Sequence, residues 1–253
     1  MTAALALHPE TTDLRRLALT IRRLEASGVD AAVRGRPAGT AGRRSASAFG
    51  ERVEIVDLGA RRTLIAVIDA HGPGEAARDV AAALAVHVRF AAERNYEPPT
   101  LLLASSDELV RRMARDERAG TASMLVLLID AVHHTVRIAN AAMPAPLVGG
   151  RAGLVVPLGD RGPALGLGSG VPRRESGPIR LSPGQVLLAA TDGVFDAAQA
   201  DGAAFGADHV AEILSSARAE GPSAVARRVL AASEAWAAPE DQDDRTAVAL
   251  RLK

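Results

Sequence analysis

Residues 53–72 read VEIVDLGARRTLIAVIDAHG, and this stretch is the most informative about the fold. Two runs rich in Val, Ile and Leu flank the turn-forming residues Gly-Ala-Arg-Arg. Runs of this length and composition, separated by a short turn, are typical of two antiparallel strands joined in a hairpin. The second run ends on Asp69, a charged residue after an otherwise apolar strand. The sequence therefore predicts a hairpin that brings one carboxylate to the end of a strand.

The rest of the chain predicts strands in runs and helices in pairs. Apolar residues recur at helical spacing between Glu75 and Arg94, and Ser106 or Asp107 is a candidate N-cap for a helix ending near Glu117. Four short strands after residue 120 are expected to form an antiparallel meander. This order favours an α+β fold, with helix pairs on the outer faces of antiparallel sheets. The other predicted elements are strands over 185–193 and 246–253 and helices over 209–218 and 223–236.

The first 45 residues are predicted to be a leader, with the main domain spanning residues 46–253. Between residues 14 and 24, leucines and an isoleucine are interspersed among four arginines, a pattern typical of an amphipathic helix. Residues 34–47 are rich in Gly, Pro, Ser and Arg, which predicts a flexible loop. The helix is a candidate element for docking or for forming a homodimer.

The composition excludes several classes of protein. The 253 residues include 30 basic and 30 acidic side chains, so the net charge of zero argues against nucleic-acid binding. The chain has no cysteine, which excludes disulfides, thiolate metal sites and cysteine nucleophiles. No apolar run approaches the length that spans a bilayer, and the start lacks a signal-peptide pattern. The expected location is therefore the cytoplasm, with no membrane partner.

Three aspartates stand where a predicted strand ends or a turn begins. They are Asp69 in VIDAHG, Asp192 in TDG and Asp243 in DDRT. Any one of them alone is typical of an ordinary turn. Together they form an oxygen-rich, sulfur-free set of the kind that Mg²⁺ and Mn²⁺ prefer. The set makes a two-ion site one hypothesis, because such a site needs a shared carboxylate and further acids around it.

Six segments, in order, carry a family resemblance. They are VIDAHGPGEAA, TASMLVLLID, VRIANAAMPAPLV, ALGLG, LSPGQVLLAATDGVFDA and DDRTAVALRL. With these segments, the chain from about Gly50 to Lys253 resembles the bacterial metal-dependent Ser/Thr protein phosphatases of the protein phosphatase 2C superfamily, of the stage II sporulation protein E type. The resemblance implies a four-layer α-β-β-α sandwich of two antiparallel sheets flanked by helix pairs.

The resemblance also implies the role of each site residue. Asp69 would bridge two ions, with the Ala70 carbonyl on the second ion and Asp192 and Asp243 on the first. Glu51 stands where the family has the acid of a Gly-Gly-Asp segment and would serve the second ion, directly or through water. A competing alignment of residues 52–55 with the eukaryotic branch would instead promote Asp57. Asp244 and His71 are supporting candidates, His71 as a proton donor to the leaving oxygen.

The implied function is hydrolysis of phosphoserine or phosphothreonine on a protein by water that two Mn²⁺ or Mg²⁺ ions activate. The implied substrate is a small phosphorylated anti-sigma-factor antagonist in a partner-switching pathway. One alternative is a phosphatase-like regulator that binds a phosphoprotein and turns over poorly, which the glutamate at position 51 motivates. A second alternative is dinucleotide binding, because residues 72–77 match the pattern G-x-G-x-x-A after a strand.

Overall fold

The computed structural model describes residues 28–36, 50–72, 74–94, 99–115, 120–150, 153–167, 173–241 and 243–253. The chain divides into two compact units. Unit 1 contains the described parts of residues 1–44, 146–158 and 181–253, and unit 2 contains those of 45–145 and 159–180. No helix among the described residues has the length and apolar character needed to cross a membrane. The predicted N-terminal helix lies outside the described residues.

Unit 2 is an antiparallel sheet covered by two helices. The strand order is β2-β3-β4-β5-β8. Its strands are β2 (Glu51–Gly59), β3 (Arg62–Ala70), β4 (Ala122–Asp130), β5 (Thr135–Ala141) and β8 (Glu175–Arg180), and its helices are α1 (Gly74–Glu93) and α2 (Pro99–Arg115).

The predicted hairpin is confirmed as β2 and β3. Ala60 and Arg61 join the strands, and both adopt positive φ angles, 49° and 58°. Two consecutive residues with positive φ define the two-residue loop whose twist suits a hairpin. The register aligns Val53 with Val67 and Glu51 with Asp69. The turn therefore decides which residues face Asp69 at the far end of the strands.

A helix-on-sheet core stabilises unit 2. Ala77, Leu84 and Val88 repeat at helical spacing on α1 and are at most 5% exposed. They join Leu64 and Ile68 of β3 in one hydrophobic cluster. Burying a large aliphatic side chain contributes about 1.5–3 kcal/mol. This packing fixes β3, the strand that ends with Asp69 and Ala70.

Unit 1 has the same kind of architecture. Its antiparallel sheet has the order β1-β10-β9-β6-β7. A buried cluster joins its strands to its two long helices, through Val210 and Leu214 of the first and Val225 and Val229 of the second. The strands are β1 (Val29–Arg36), β6 (Leu147–Gly149), β7 (Val155–Pro157), β9 (Val186–Ala190) and β10 (Arg245–Leu252), and the helices are α3 (Asp192–Phe195), α4 (Gly206–Ala217) and α5 (Pro222–Trp236).

The predicted start of α2 was wrong. The helix begins at Pro99, so Ser106 and Asp107 lie in its middle instead of at its N-cap. Pro suits the first turn of a helix because the N–H that it lacks would have no partner there. Ser106 is fully buried, and the Asp107 carboxylate accepts a hydrogen bond from the Gly166 N–H, so neither side chain caps the helix.

The predicted meander is confirmed in its two antiparallel pairs, β4 with β5 and β6 with β7, but it is wrong as one continuous sheet. The four strands exist, but β5 pairs with β8 in unit 2, whereas β6 and β7 belong to the sheet of unit 1. The chain leaves the first sheet where Ala142 has a positive φ of 60° and the side chain of Asn140 bonds the backbone of Met143 at both N and O. The sequence prediction did not include β8, because its Gly177 and Pro178 are typical of turns.

Part of the predicted leader is a strand. Arg34, Gly35 and Arg36 were expected in a loop, but they pair with β10 as the end of β1. The pairing satisfies backbone groups of an apolar segment whose Val29 and Val33 are fully buried. Residues 29–36 of the predicted leader therefore belong to the sheet of unit 1. The α+β class, with two antiparallel five-stranded sheets and their helices, is confirmed.

Candidate metal centre

In unit 2, two acids lie opposite each other on neighbouring strands. Asp69 is the penultimate residue of β3, and Glu51 is the first residue of β2. The register pairs them directly, so both side chains leave the same face of the sheet. Asp69 is only 9% exposed. A buried acid opposite a second acid is a donor pair suited to a hard cation.

A glycine lies against the Ala70 carbonyl. The Gly50 oxygen accepts a hydrogen bond of 2.9 Å from the Ala70 N–H. A Cβ atom built at Gly50 would lie 2.5 Å from the Ala70 oxygen, closer than real side chains allow. Glycine at this position therefore leaves space beside the carbonyl. The cradle fits the implied use of the Ala70 oxygen as a cation ligand.

His71 is fixed beside Asp69. Its Nδ1 lies 3.7 Å from Asp69 Oδ2, and its Nε2 lies 3.0 Å from Ser123 Oγ. The His71 N–H also donates to the Thr121 carbonyl oxygen at 2.8 Å. The side chain remains 39% exposed. This geometry holds an imidazole next to the acid while leaving it open to solvent, as a proton donor requires.

Asp57 does not lie near Asp69. It pairs with Thr63 at the opposite end of the hairpin, six residues along β2 from Glu51. At the rise of an antiparallel strand, the separation is about 20 Å. Asp57 is exposed, and its carboxylate accepts a hydrogen bond from the Gly59 N–H at 2.9 Å. The alignment that would promote Asp57 therefore does not bring it to the Asp69 end of the sheet.

In unit 1, Asp192 and Asp243 belong to two turns in direct contact. Asp192 begins α3 immediately after β9, and Asp243 precedes β10. A Cβ atom at Gly193 would lie 2.1 Å from the Asp244 carbonyl oxygen and 3.3 Å from Asp243 Cγ. The Thr191 N–H donates to the Thr246 oxygen at 3.0 Å. Only a glycine lets the two turns approach this closely, so both carboxylates share one small region.

The charge of Asp243 is disfavoured in this region. Partial burial raises the pKa of its carboxyl most, and the neighbouring charges of Asp192, Asp244 and Asp241 raise it further. The Asp244 N–H donates a hydrogen bond of 2.9 Å to Asp243 Oδ1, and this bond acts in the opposite direction. Asp244 therefore supports Asp243 through its backbone. An acid held among acids is stabilised when a cation binds.

Replacing Asp243 with Asn is expected to stabilise the metal-free protein at neutral pH. Because its pKa is raised in the folded state, Asp243 lowers the free energy of unfolding once the pH exceeds both its unfolded and folded pKa values. The amide carries no charge and removes that penalty. Thermal unfolding at pH 7 in chelator should show a higher Tm for the variant, and the difference should vanish well below pH 3.8, the ordinary value for this carboxyl.

The same variant should lose the stabilisation that a ligand gives. An ion at about 100 times its Kd adds about 2.7 kcal/mol to the free energy of unfolding. Mn²⁺ should therefore raise the Tm of the natural protein and have a much smaller effect on Asp243→Asn. A variant that is less stable than the natural protein in chelator would contradict the electrostatic explanation.

Sequence reasoning gave no role to Arg245 and Asp241. Arg245 is 5% exposed, and its Nη2 lies 3.0 Å from Asp241 Oδ2. Its Nε donates to the Gly193 carbonyl oxygen at 2.9 Å. The available signal in the sequence was Asp241, an acid four residues before the arginine that begins an apolar strand. This signal was not distinctive, because charged residues near strand ends are usually solvated.

The described acids fit a hard divalent cation. Within unit 1 the oxygen donors are the carboxylates of Asp192 and Asp243, and within unit 2 they are the carboxylates of Asp69 and Glu51 and the Ala70 carbonyl. These donors are all oxygens, which suit Mg²⁺ and Mn²⁺ better than softer metals. The rival dinucleotide prediction was wrong, since β3 pairs antiparallel on both sides and the described residues after 72–77 form no parallel βαβ unit.

Known proteins share this fold. The SiaA-PP2C domain of Pseudomonas aeruginosa superposes with a TM-score of 0.76 at 20% identity, over 96% of this chain and 94% of that one. The RsbU and RsbW domains of a Mycobacterium tuberculosis protein give a TM-score of 0.70 at 22% identity, over 89% of this chain and 60% of that one. RsbX in complex with magnesium gives 0.64 at 13%, over 89% and 96%. No curated protein sequence matches this chain.

The sheets and helices of this chain have the fold of the SiaA-PP2C domain. The model of the family described as stage II sporulation protein E matches residues 59–253. The chain therefore belongs to the stage II sporulation protein E family.

Proposed function

We propose that this chain is a cytoplasmic, Mn²⁺- or Mg²⁺-dependent phosphatase that hydrolyses phosphoserine or phosphothreonine on a protein. The group of acids formed by Asp192, Asp241, Asp243 and Asp244 carries the proposal, because partial burial and the neighbouring charges raise the pKa of Asp243. Acids gathered at strand ends weaken the metal-free fold and are stabilised by cations. Family membership supports the same class of chemistry, and the RsbX structure with magnesium supports the choice of ion.

The proposed ligand set follows the family resemblance. Asp69 would be shared by two ions, and Asp192 and Asp243 would hold the first. The Ala70 carbonyl and Glu51 would serve the second, Glu51 either directly or through water. The Gly50 cradle at the Ala70 oxygen and the register of Glu51 with Asp69 support these assignments.

The chain's own groups hold and orient the reactants. When bound, the two ions supply Lewis-acid activation of water and charge neutralisation at the phosphoryl group. His71, held by Ser123 and adjacent to Asp69, donates a proton to the departing serine or threonine oxygen. The sequence contains no cysteine, so a thiol nucleophile has no role in the reaction.

The proposed substrate is a small phosphorylated anti-sigma-factor antagonist in a partner-switching pathway. The resemblance to stage II sporulation protein E implies this substrate class. The similar Mycobacterium tuberculosis structure joins an RsbU domain to an RsbW domain, and a second similar structure is RsbX. These similarities support a protein partner over a small-molecule substrate.

The function is tested by hydrolysis of an aryl phosphate and of phosphoserine peptides with added Mn²⁺. We expect turnover that depends on Mn²⁺ and stops on addition of a chelator. Asp192→Ala should lose activity while remaining folded, since the Asp192 side chain is only partly buried. Activity that persists both in chelator and in the Asp192→Ala variant would exclude the two-ion proposal.

Glu51 favours a second candidate, a phosphoprotein-binding regulator with little turnover. Its side chain is longer than that of the aspartate which the family has there, so the second ion would be held at a different distance. The same assays, with binding of the phosphorylated protein measured in parallel, separate the two functions. Tight binding without Mn²⁺-dependent turnover would support the regulator.

A further inference from the structure

Arg245 is a buried cation at the start of β10, next to the acids proposed to bind metal. Its guanidinium is almost fully shielded from solvent. Burying a charge is unfavourable unless the charge is paired and its N–H groups are satisfied. Asp241 supplies the opposite charge, with Oδ2 at 3.0 Å from Nη2. The charge of Arg245 is thereby paired with Asp241, an acid that is not in the proposed ligand set.

The same guanidinium joins the two turns that bear the ligands. Its Nε donates to the Gly193 carbonyl oxygen, one residue after Asp192. Its ion pair reaches Asp241, two residues before Asp243. Asp241 is itself fixed, because its Oδ2 accepts a hydrogen bond of 2.7 Å from the Ala198 N–H. Arg245 therefore bridges the turn at Asp192 and the turn at Asp243.

The contact between these turns has little freedom to adjust. The Gly193 α-carbon faces the Asp244 carbonyl with no room for a methyl group. Thr191 and Thr246 are joined by three hydrogen bonds: Thr191 N and Oγ1 both donate to the Thr246 oxygen, and Thr246 N donates to Thr191 Oγ1. If the start of β10 at Arg245 moved, the spacing of the Asp192 and Asp243 carboxylates would therefore change.

We propose that Arg245 is a positioning residue for the metal centre: its guanidinium, braced by Asp241, sets the distance between the Asp192 and Asp243 carboxylates. This inference rests on the proposed function. Arg245 affects how tightly the cation binds and takes no part in the reaction itself. Residues that orient metal ligands typically contribute 10–100-fold to metal affinity.

Lysine cannot replace the guanidinium at this position. Nε donates a hydrogen bond to the Gly193 oxygen, and Nη2 of the same planar group forms the ion pair with the Asp241 carboxylate without hydrogen-bond geometry. A lysine ammonium is a single point charge without that planar fork. Arg245→Lys keeps the charge and loses the bridge, which separates the effect of geometry from the effect of charge.

The experiment compares Arg245→Lys and Asp241→Asn with the natural full chain. Mn²⁺ affinity is measured by calorimetry and by the Mn²⁺-induced rise in Tm, and kcat is measured at saturating Mn²⁺. We expect both variants to bind Mn²⁺ about 10–100-fold more weakly. Their kcat at saturating Mn²⁺ should stay within a few-fold of the natural value, because the ligands themselves are unchanged.

Arg251→Lys is the matched control. Arg251 lies on the same strand, and its Nη2 pairs with Asp30 Oδ2 at 2.8 Å, six residues from Arg245. This variant should keep the natural Mn²⁺ affinity. If both test variants lower the Tm in chelator yet bind Mn²⁺ as tightly as the control, Arg245 is merely structural and the inference is overturned.

The outcomes also separate the inference from the function on which it rests. A natural protein that neither binds Mn²⁺ nor shows Mn²⁺-dependent turnover would overturn both. A natural protein that binds Mn²⁺ and turns over, with variants of unchanged Mn²⁺ affinity, would overturn only the role of Arg245. Arg245→Met adds a further check, since it removes the charge and the bridge together.

Discussion

Asp69→Asn is expected to lower kcat on an aryl phosphate by about 10³-fold, because two bound ions contribute several kcal/mol of charge stabilisation in the transition state. The amide retains the size of the side chain and one oxygen. It loses the negative charge that a carboxylate shared by two cations requires. The neighbouring strands should hold the variant in its fold, since β3 is paired on both sides.

Asp57→Asn is the matched control for this prediction. The residue occupies the same hairpin at its opposite end and caps the Gly59 N–H. We expect its kcat to stay within about twofold of the natural value, since a surface change far from the site alters little. The assay is steady-state hydrolysis at saturating Mn²⁺. Loss of activity in Asp57→Asn, with Asp69→Asn nearly unchanged, would favour the alignment that promotes Asp57.

Local sequence patterns predicted the strands and helices with strong periodicity. The runs that became β3, β9 and β10 are dominated by apolar residues, and each has the length of one strand. Their burial is decided mainly by the side chains themselves, so a single sequence is enough to recognise them. The helix α1 was predicted to within one residue at each end for the same reason.

Long-range partners decided what the sequence patterns missed. Ser106 and Asp107 look like an N-cap, yet Asp107 is bonded to Gly166 and Arg173, about sixty residues further along the chain. The strand β8 contains Gly177 and Pro178 and is stabilised by pairing with β5. Neither contact leaves a local periodicity, so propensity alone pointed to a cap and to a turn.

The candidate site likewise contains residues that the sequence revealed and residues that only the fold revealed. Asp69, Asp192 and Asp243 were recognised because acids at strand ends, in a known order, resemble a family. Arg245 stands in the same quoted segment and received no role, since its partners Asp241 and Gly193 meet it only through the fold. Sequence thus predicted candidate ligands, whereas the groups that brace them required the structure.

Asp107→Ala is expected to cause the largest loss of stability. Asp107 Oδ1 accepts hydrogen bonds from Arg173 Nη2 at 2.9 Å and from the Gly166 N–H at 2.8 Å, and Oδ2 accepts one from Arg111 Nε at 3.1 Å. The Arg173 side chain is only 5% exposed. Removing the carboxylate leaves that guanidinium buried without its ion pair, which costs about 3–5 kcal/mol. The Tm should fall by about 6–20 °C.

Glu108→Ala tests whether the effect comes from burial. Glu108 is the next residue of α2 and pairs with Arg111 and Arg112 near the surface, where an ion pair contributes about 0–1 kcal/mol. The experiment compares the Tm of three variants: Asp107→Ala, Glu108→Ala, and the double variant Asp107→Leu with Arg173→Met. The double variant should regain much of the lost stability, because it removes both buried charges and fills their volume. If Asp107→Ala were no less stable than Glu108→Ala, the buried pair would not be what anchors residues 163–166 to α2.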